Sequence, residues 1–274
     1  MAKTKPRKPE TETRLHERVL AHFEALRVPL RPEDLDDVVR RAEQEALGHL
    51  AFLDALIGEQ AALRRERSIE RRIRAARFPE RKSLEDFDWE FNKRSIDRVQ
   101  FEDLATADFV ARRDNVVIVG ESGVGKSHLM QAIGMRTCAA GRSVRYTTSA
   151  DLIADLTSAL ADKTLPKRLS RYVRPELLIV DEFGFDKIER RESPESASLL
   201  YKVVDARHRK GSIALVTNID FDFWGDYLGD APLSMALLDR LVDHATIIKI
   251  KDARSYRAES AARVARSRRS TSPR

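Results

Sequence analysis

Read as apolar and polar positions, the chain changes period partway along. Apolar residues recur at Leu15, Val19, Phe23 and Leu26 and stop before Pro29, the stripe of an amphipathic helix. Pro32 suits the first position of a second helix, with Leu35, Val38, Val39 and Ala42 on one face. A third helical stretch carries Leu50, Leu53, Leu56 and Ile57 and continues into an Arg-rich segment that ends at Phe78-Pro79. Residues 13–82 therefore predict a small bundle of three or four helices, with helix-turn-helix as one option. The polar residues 1–12, with Pro6 and Pro9, predict a disordered tail.

Ser83 to Asn92 reads as the approach to a second domain, after which the pattern is helical from Ile96 to Arg112 and then alternates. Strands are predicted at 116–119, 143–147, 177–180, 213–217 and 246–250. Helices are predicted at 127–140, 150–160, 196–209 and 232–243. Short apolar strands separated by helices predict an α/β fold, a three-layer parallel sheet, over residues 83–258, followed by a basic tail at 259–274.

Composition narrows the class. At 42% hydrophobic and 34% charged, the chain fits a soluble protein with one sizeable core and a small accessory domain. No apolar run approaches the roughly 18 residues of a spanning helix, and the first residues lack the apolar stretch of a secretory signal. A cytoplasmic protein without a membrane partner is the expectation. Cys138 is the single cysteine, which excludes an intrachain disulfide and a cysteine metal cluster.

The net charge of +6 is unevenly spread. Residues 64–82 carry nine Lys/Arg against three Glu, and residues 251–274 carry eight against two acids. Such clustering points to a polyanion, nucleic acid first. In the first segment the charges are sided: at helical spacing Ile69, Ile73 and Ala76 share one face, while Arg64, Arg67, Arg71 and Arg74 gather on the other. Pairing of Glu66 and Glu70 with neighbouring arginines is the plain alternative, but three Glu cannot neutralise so many Arg.

The chemistry is concentrated where strands end. Val116-Val117-Ile118-Val119 runs into Gly120-Glu121-Ser122-Gly123-Val124-Gly125-Lys126-Ser127, with a periodic helical segment behind it, which is the context a P-loop requires. Glycines let the backbone turn its N–H groups inward to form an anion site at a helix N-terminus. Lys126 would reach the β/γ-phosphates and the Ser127 hydroxyl would ligate Mg²⁺. Leu177 to Val180 is a second apolar strand, ending in Asp181-Glu182. In a parallel α/β sheet this pair emerges beside the P-loop, with Asp181 suited to hold Mg²⁺ and Glu182 to polarise an attacking water. Ile213 to Thr217 ends in Asn218, which can bond a γ-phosphate or cap a turn. Arg240, beside Asp239 on an apolar helix, can reach a neighbouring subunit's phosphate or pair with Asp243 one turn on.

The order of P-loop, Asp181-Glu182, Thr217-Asn218, Leu237 to Ala245 and Ser255-Tyr256-Arg257 resembles an AAA+ ATPase of the IstB/DnaC group, most closely the IstB-like transposition helpers. The likeness covers roughly residues 15–258 and includes Ser83 to Asp88, Gly123 to Leu129, Asp181 to Gly184, and Trp224-Gly225 followed by Gly229-Asp230. It implies ATP bound by Gly120 to His128, with Mg²⁺ at Ser127 and Asp181, hydrolysis supported by Glu182, Asn218 as first sensor, Arg240 as a finger acting in trans, and Arg257 as second sensor. It also implies homo-oligomers on duplex DNA that bend it and recruit the transposase of the same element; a DnaC-like helicase loader is the alternative. Glu121 stands where the family more often has Pro. Residues 251–254 make a longer approach to Ser255, so Arg254 competes with Arg257 for the second-sensor position. Lys163, Lys167, Arg168 and Arg171 lie where related ATPases place DNA-contacting elements. The stretch after Ile250 is too short for a helical lid, which favours closure of the nucleotide site by a neighbour or by the N-terminal domain.

Overall fold

The computed structural model describes residues 12–185 and 195–261. All but the last residue of the tail expected over 1–12, and most of the tail expected over 259–274, lie outside the described residues. The chain divides into two compact units, one up to Glu70 and one from Arg71. The division falls inside a helix rather than at the 82/83 boundary read from the sequence.

The first unit contains three helices, α1 (Glu12–Ala25), α2 (Pro32–Gln44) and the first part of α3 (His49–Ala76). Pro32 opens α2 as expected, where its missing N–H removes no helical bond. Leu35, Val38 and Leu56 are buried at its centre, with Val19, Phe23 and Phe52 packed around them. Apolar stripes on the helices face one another, so burial stabilises each helix more than its own propensity does.

The second unit is built on a sheet of five parallel strands, β1 (Asn115–Gly120), β2 (Val144–Thr148), β3 (Leu177–Phe183), β4 (Ser212–Thr217) and β5 (Ala245–Ile250). Their order across the sheet is β2-β3-β4-β1-β5. Successive residues of a strand face opposite sides, so Val116, Ile118, Leu177 and Ile179 enter one core and Val117, Val119, Leu178 and Val180 another. The central strands β1, β3 and β4 are apolar on both faces because both are covered, whereas β5, at the edge, alternates, with Ile248 and Ile250 buried and Ile247 and Lys249 exposed.

One core is closed by α4 (Arg98–Leu104), α5 (Asp108–Arg112) and α6 (Lys126–Ala139), the other by α7 (Ser149–Ala161), α8 (Leu165–Val173), α9 (Ser196–Arg207) and α11 (Ala231–Val242). A short α10 (Trp224–Leu228) precedes α11 and buries Trp224 against Phe183.

Two elements differ from the sequence pattern. The single helix expected from Ile96 to Arg112 is two, because Ala107 takes φ 64°. Thr106 ends the first of them by bonding Asp103 O and Asp108 N through its hydroxyl, which competes with the helical ladder. The basic segment around Lys167 is a helix, α8, with Pro166 in its first turn and Tyr172 on its buried side.

Candidate functional site

The carboxyl ends of β1, β3 and β4 meet at a cavity of about 760 Å³, within the roughly 300–1,000 Å³ usual for small-molecule sites. Gly123 and Gly125 take φ +85° and +101°, which L side chains rarely adopt. A Cβ on Gly125 would lie 2.6 Å from the Phe87 ring, and one on Gly123 would collide with the Ser255 hydroxyl. These glycines therefore serve packing as well as the turn, letting the 83–92 segment and the segment after β5 close over the loop. Among the described residues no side chain caps α6, so its first backbone N–H groups face the cavity.

Lys126 is 8% exposed, and its ammonium donates to Gly120 O at 2.6 Å and Glu121 O at 2.7 Å. Burial pulls its pKa down to about 8; Arg257 adds to that, while Asp181 and Glu121 oppose it. The Ser127 hydroxyl donates to Asp181 Oδ1 at 3.1 Å. Asp181 is buried and also accepts from the Tyr146 hydroxyl and from the Glu182 N–H. Burial, together with the Asp181 charge, raises the Tyr146 hydroxyl far above its ordinary value, which keeps it a donor.

Glu182 follows through a local irregularity. Val180 pairs with Leu215 but Phe183 with Thr217, so β3 carries one residue more than β4 between these pairs. Glu182 sits in this bulge at φ 61°, a conformation costing on the order of 1–3 kcal/mol for a non-glycine residue. The result is that consecutive acids differ: Asp181 and Phe183 are buried while Glu182 is exposed into the cavity. Asn218, just past β4, lines the same cavity, with its Oδ1 beside Gly184.

A clamp separates Arg254 from Arg257. Asn92 Nδ2 donates to Arg254 O at 2.9 Å and Asn92 Oδ1 accepts from Arg254 N at 3.0 Å. The Arg254 guanidinium lies over the Phe91 ring at 4.6 Å and bonds Phe91 O. Arg257 instead lines the cavity. Between the two, Tyr256 N donates to Gly123 O at 2.9 Å, which fastens the C-terminal segment to the P-loop, and the Tyr256 ring stands edge-on to Phe91 at 5.1 Å.

Other expected residues are placed less simply. The Glu121 side chain is exposed, and only its carbonyl engages Lys126. His128 Nε2 contacts Ser83 O at 2.8 Å, and its ring packs against Phe87, so it joins the loop to the 83–92 segment. Arg240 does not line the cavity of its own chain. It pairs with Asp205 at 3.0 Å rather than with Asp243, which instead takes Arg209 and His208, because α9 packs beside α11 and brings Asp205 closer than the next helical turn.

The basic residues divide in the same way. Arg64, Arg67, Arg71 and Arg74 are exposed along α3, with Ile73 and Ala76 packed inward. Lys163 and Lys167 are exposed, but Arg168 is held by Asp155 at 2.6 Å and Asp162 at 2.9 Å, and Arg171 lies 3.8 Å from Asp155. Arg168 is thus an internal tie of α7 to α8, in contrast to the phosphate contact expected for it.

Four cavity residues had no motif to announce them. Tyr146 reaches Asp181 only because β2 pairs with β3, and no local pattern shows that register. Phe91 and Asn92 act on residues more than a hundred positions away. Gln131, one turn beyond Ser127 on α6, is buried in the cavity wall, and its Oε1 has no hydrogen-bond partner among the described residues. No group of three or more His, Cys, Asp or Glu that could hold a metal occurs among the described residues. A cation here would fit only the Ser127–Asp181 oxygen pair completed by ligand and water oxygens, the habit of Mg²⁺.

A family model described as IstB-like ATP binding protein matches residues 21–264. A protein named for ATP binding in insertion sequence IS5376 of Geobacillus stearothermophilus is 32% identical over 243 residues, covering 89% of this chain and 94% of its own. Another, named for ATP binding in insertion sequence IS21 of Pseudomonas aeruginosa, is 36% identical over 223 residues, covering 81% and 82%. Among solved structures, a DNA replication initiation factor superposes with a TM-score of 0.51 at 17% identity, over 69% of this chain and 55% of that one. DnaI superposes with a TM-score of 0.50 at 22% identity, over 62% of this chain and 92% of its own. At these identities the two structures speak to the fold. Among the described residues, no helix is long and apolar enough to cross a membrane.

Proposed function

Because the chain belongs to the IstB-like ATP binding protein family and has the AAA+ P-loop fold, we propose that it is a Mg²⁺-dependent ATPase that assembles on duplex DNA and directs a transposase to its target. The observation that carries the reading is convergence: Lys126, Ser127, Asp181, Glu182, Asn218 and Arg257, from four separate segments, line one cavity.

In this reading the N–H groups at the start of α6 and the Lys126 ammonium take the phosphates, which compete with the Gly120 and Glu121 carbonyls for that charge. Ser127 and Asp181 hold the cation, whose contribution when bound is to neutralise charge on the phosphate oxygens. Glu182, turned into the cavity by the β3 bulge, orients water and accepts its proton as the terminal phosphate leaves ADP. Asn218 bonds the terminal phosphate or that water, and Arg257 stabilises the charge that develops on the leaving side.

Arg240 acts in this scheme on the nucleotide of an adjacent copy, so turnover depends on a homo-oligomer. Its pairing with Asp205 supports an outward position on its own chain. The names of the insertion-sequence relatives support a transposase of the same element as partner. DNA is met through phosphates by exposed cations such as Arg71, Arg74, Lys163 and Lys167, in a salt-sensitive and sequence-tolerant way.

Phosphate release and assembly, measured with and without duplex DNA, test the proposal. ATP-dependent assembly on DNA and DNA-stimulated phosphate release are expected. Particles that are identical with and without ATP, and that do not retain DNA, would overturn it.

A further inference from the structure

Asp181 is 1% exposed, yet three donors reach it. Ser127 Oγ at 3.1 Å and Glu182 N at 2.8 Å share Oδ1, while the Tyr146 hydroxyl, at 2.6 Å, holds Oδ2. The first two donors come from the P-loop and from the strand that carries Asp181. The third comes from β2, a strand to which no motif assigns a role.

The hydroxyl is not there by accident of packing. Tyr146 is 8% exposed on the same cavity wall, its ring 6.0 Å from that of Phe78, and β2 pairs Tyr146 with Ile179 and Thr148 with Asp181. A Phe would fill the same volume. The one polar atom that distinguishes Tyr from Phe is spent on Asp181, and a buried carboxylate with a lone oxygen would otherwise lack a donor there.

We propose that Tyr146 is a positioning residue for divalent-cation binding: it fastens Asp181 Oδ2, so that Oδ1 stays on the Ser127 side, where the cation is received. The inference rests on the Mg²⁺–ATP reading above. It adds to that reading a second layer of control over the cation, since partners of ligating carboxylates commonly affect metal affinity as strongly as a weak ligand does. Removing the hydroxyl leaves the phosphate-binding loop intact and loosens only the carboxylate.

Tyr146→Phe in the full chain tests this, using a fluorescent ATP analogue bound first in EDTA and then across a Mg²⁺ titration. The Mg²⁺ needed for half of the metal-dependent gain in affinity should rise about 10–100-fold, while affinity in EDTA stays within about twofold. An unchanged Mg²⁺ requirement would overturn the proposal, as would an equal loss of affinity in EDTA and in Mg²⁺, which marks a packing role. Replacing Tyr146 by 4-aminophenylalanine, which keeps the ring and a donor at the same place, should give a smaller rise than Tyr146→Phe, and it carries the test if the Phe variant does not fold. Wild-type protein is the separate check on the premise: nucleotide binding indifferent to Mg²⁺ would sink the cation reading itself.

Discussion

Arg207 offers a measurement of how the sheet is held. It is the last residue of α9 and fully buried, and its guanidinium donates not to a carboxylate but to five carbonyls, those of Tyr172, Val173, Pro175, Glu176 and Ser212, at 2.7 to 3.0 Å. Burial pulls its pKa down to about 10. These carbonyls belong to the end of α8 and to the starts of β3 and β4, so one side chain ties together the amino ends of two central strands, opposite the cavity.

Replacing Arg207 by Met removes the charge and leaves the carbonyls behind. Charge-assisted bonds contribute about 1.5–3 kcal/mol each, and five of them would sum to the whole stability of a typical domain, so simple addition overcounts. The bonds to Tyr172 O and Ser212 O are the buried ones; the other three carbonyls are partly reachable by water. Two orphaned acceptors at about 1–3 kcal/mol each, less a gain on the order of 1 kcal/mol from no longer burying a charge, give an expected loss of about 1–5 kcal/mol.

For a unit of this size, at about 2–4 °C for each kcal/mol, that is a fall in Tm of roughly 2–20 °C, measurable by thermal or urea unfolding followed by circular dichroism. Arg142→Ala is the internal comparison. Arg142 pairs with Glu176 at the same corner at 2.8 Å, but both side chains are 41% exposed, and such pairs contribute about 1 kcal/mol or less. A loss below about 1 kcal/mol for Arg207→Met, or one no larger than that of Arg142→Ala, would mean that Arg207 does not hold these strand ends together.

Lys126→Ala should abolish nucleotide binding by calorimetry, whereas Glu182→Gln should keep it and slow phosphate release by about 10²–10⁴-fold; rapid turnover in the latter would mean that another group activates water. Gly123→Ala, strained at φ +85° and driven against Ser255, should displace the Arg257 segment and weaken ATP binding; unchanged affinity would show that the segment is dispensable. Arg71→Ala with Arg74→Ala, and Lys163→Ala with Lys167→Ala, should each flatten the dependence of log affinity for duplex DNA on log salt by about 0.9 for every phosphate that is no longer neutralised, while Arg168→Ala should lower the thermal midpoint instead. An unchanged slope in either pair would remove that pair from the DNA-binding surface.

Much was legible along the chain because it is local. The P-loop is a run of consecutive residues, and the glycine, lysine and serine positions carry their chemistry by spacing alone. Buried strands announce themselves as unbroken apolar runs, and the sided arginines of α3 follow from helical period. The bulge at Glu182, the division of the 96–112 helix and the helical form of the basic α8 segment were not visible, since each depends on side chains competing for backbone groups or on burial beneath a neighbouring element.

The strand ends, and the nucleotide-binding chemistry placed on them, can be read from the order of residues alone. Packing in three dimensions sets which arginine faces the cavity, that Arg240 meets Asp205, that Arg168 is spent internally, and that Tyr146 holds Asp181. The cause is the same in each case: a charge or hydroxyl is committed by whichever partner the packing brings within hydrogen-bond reach, and that partner lies on another element, fixed by sheet register and helix packing rather than by distance along the chain.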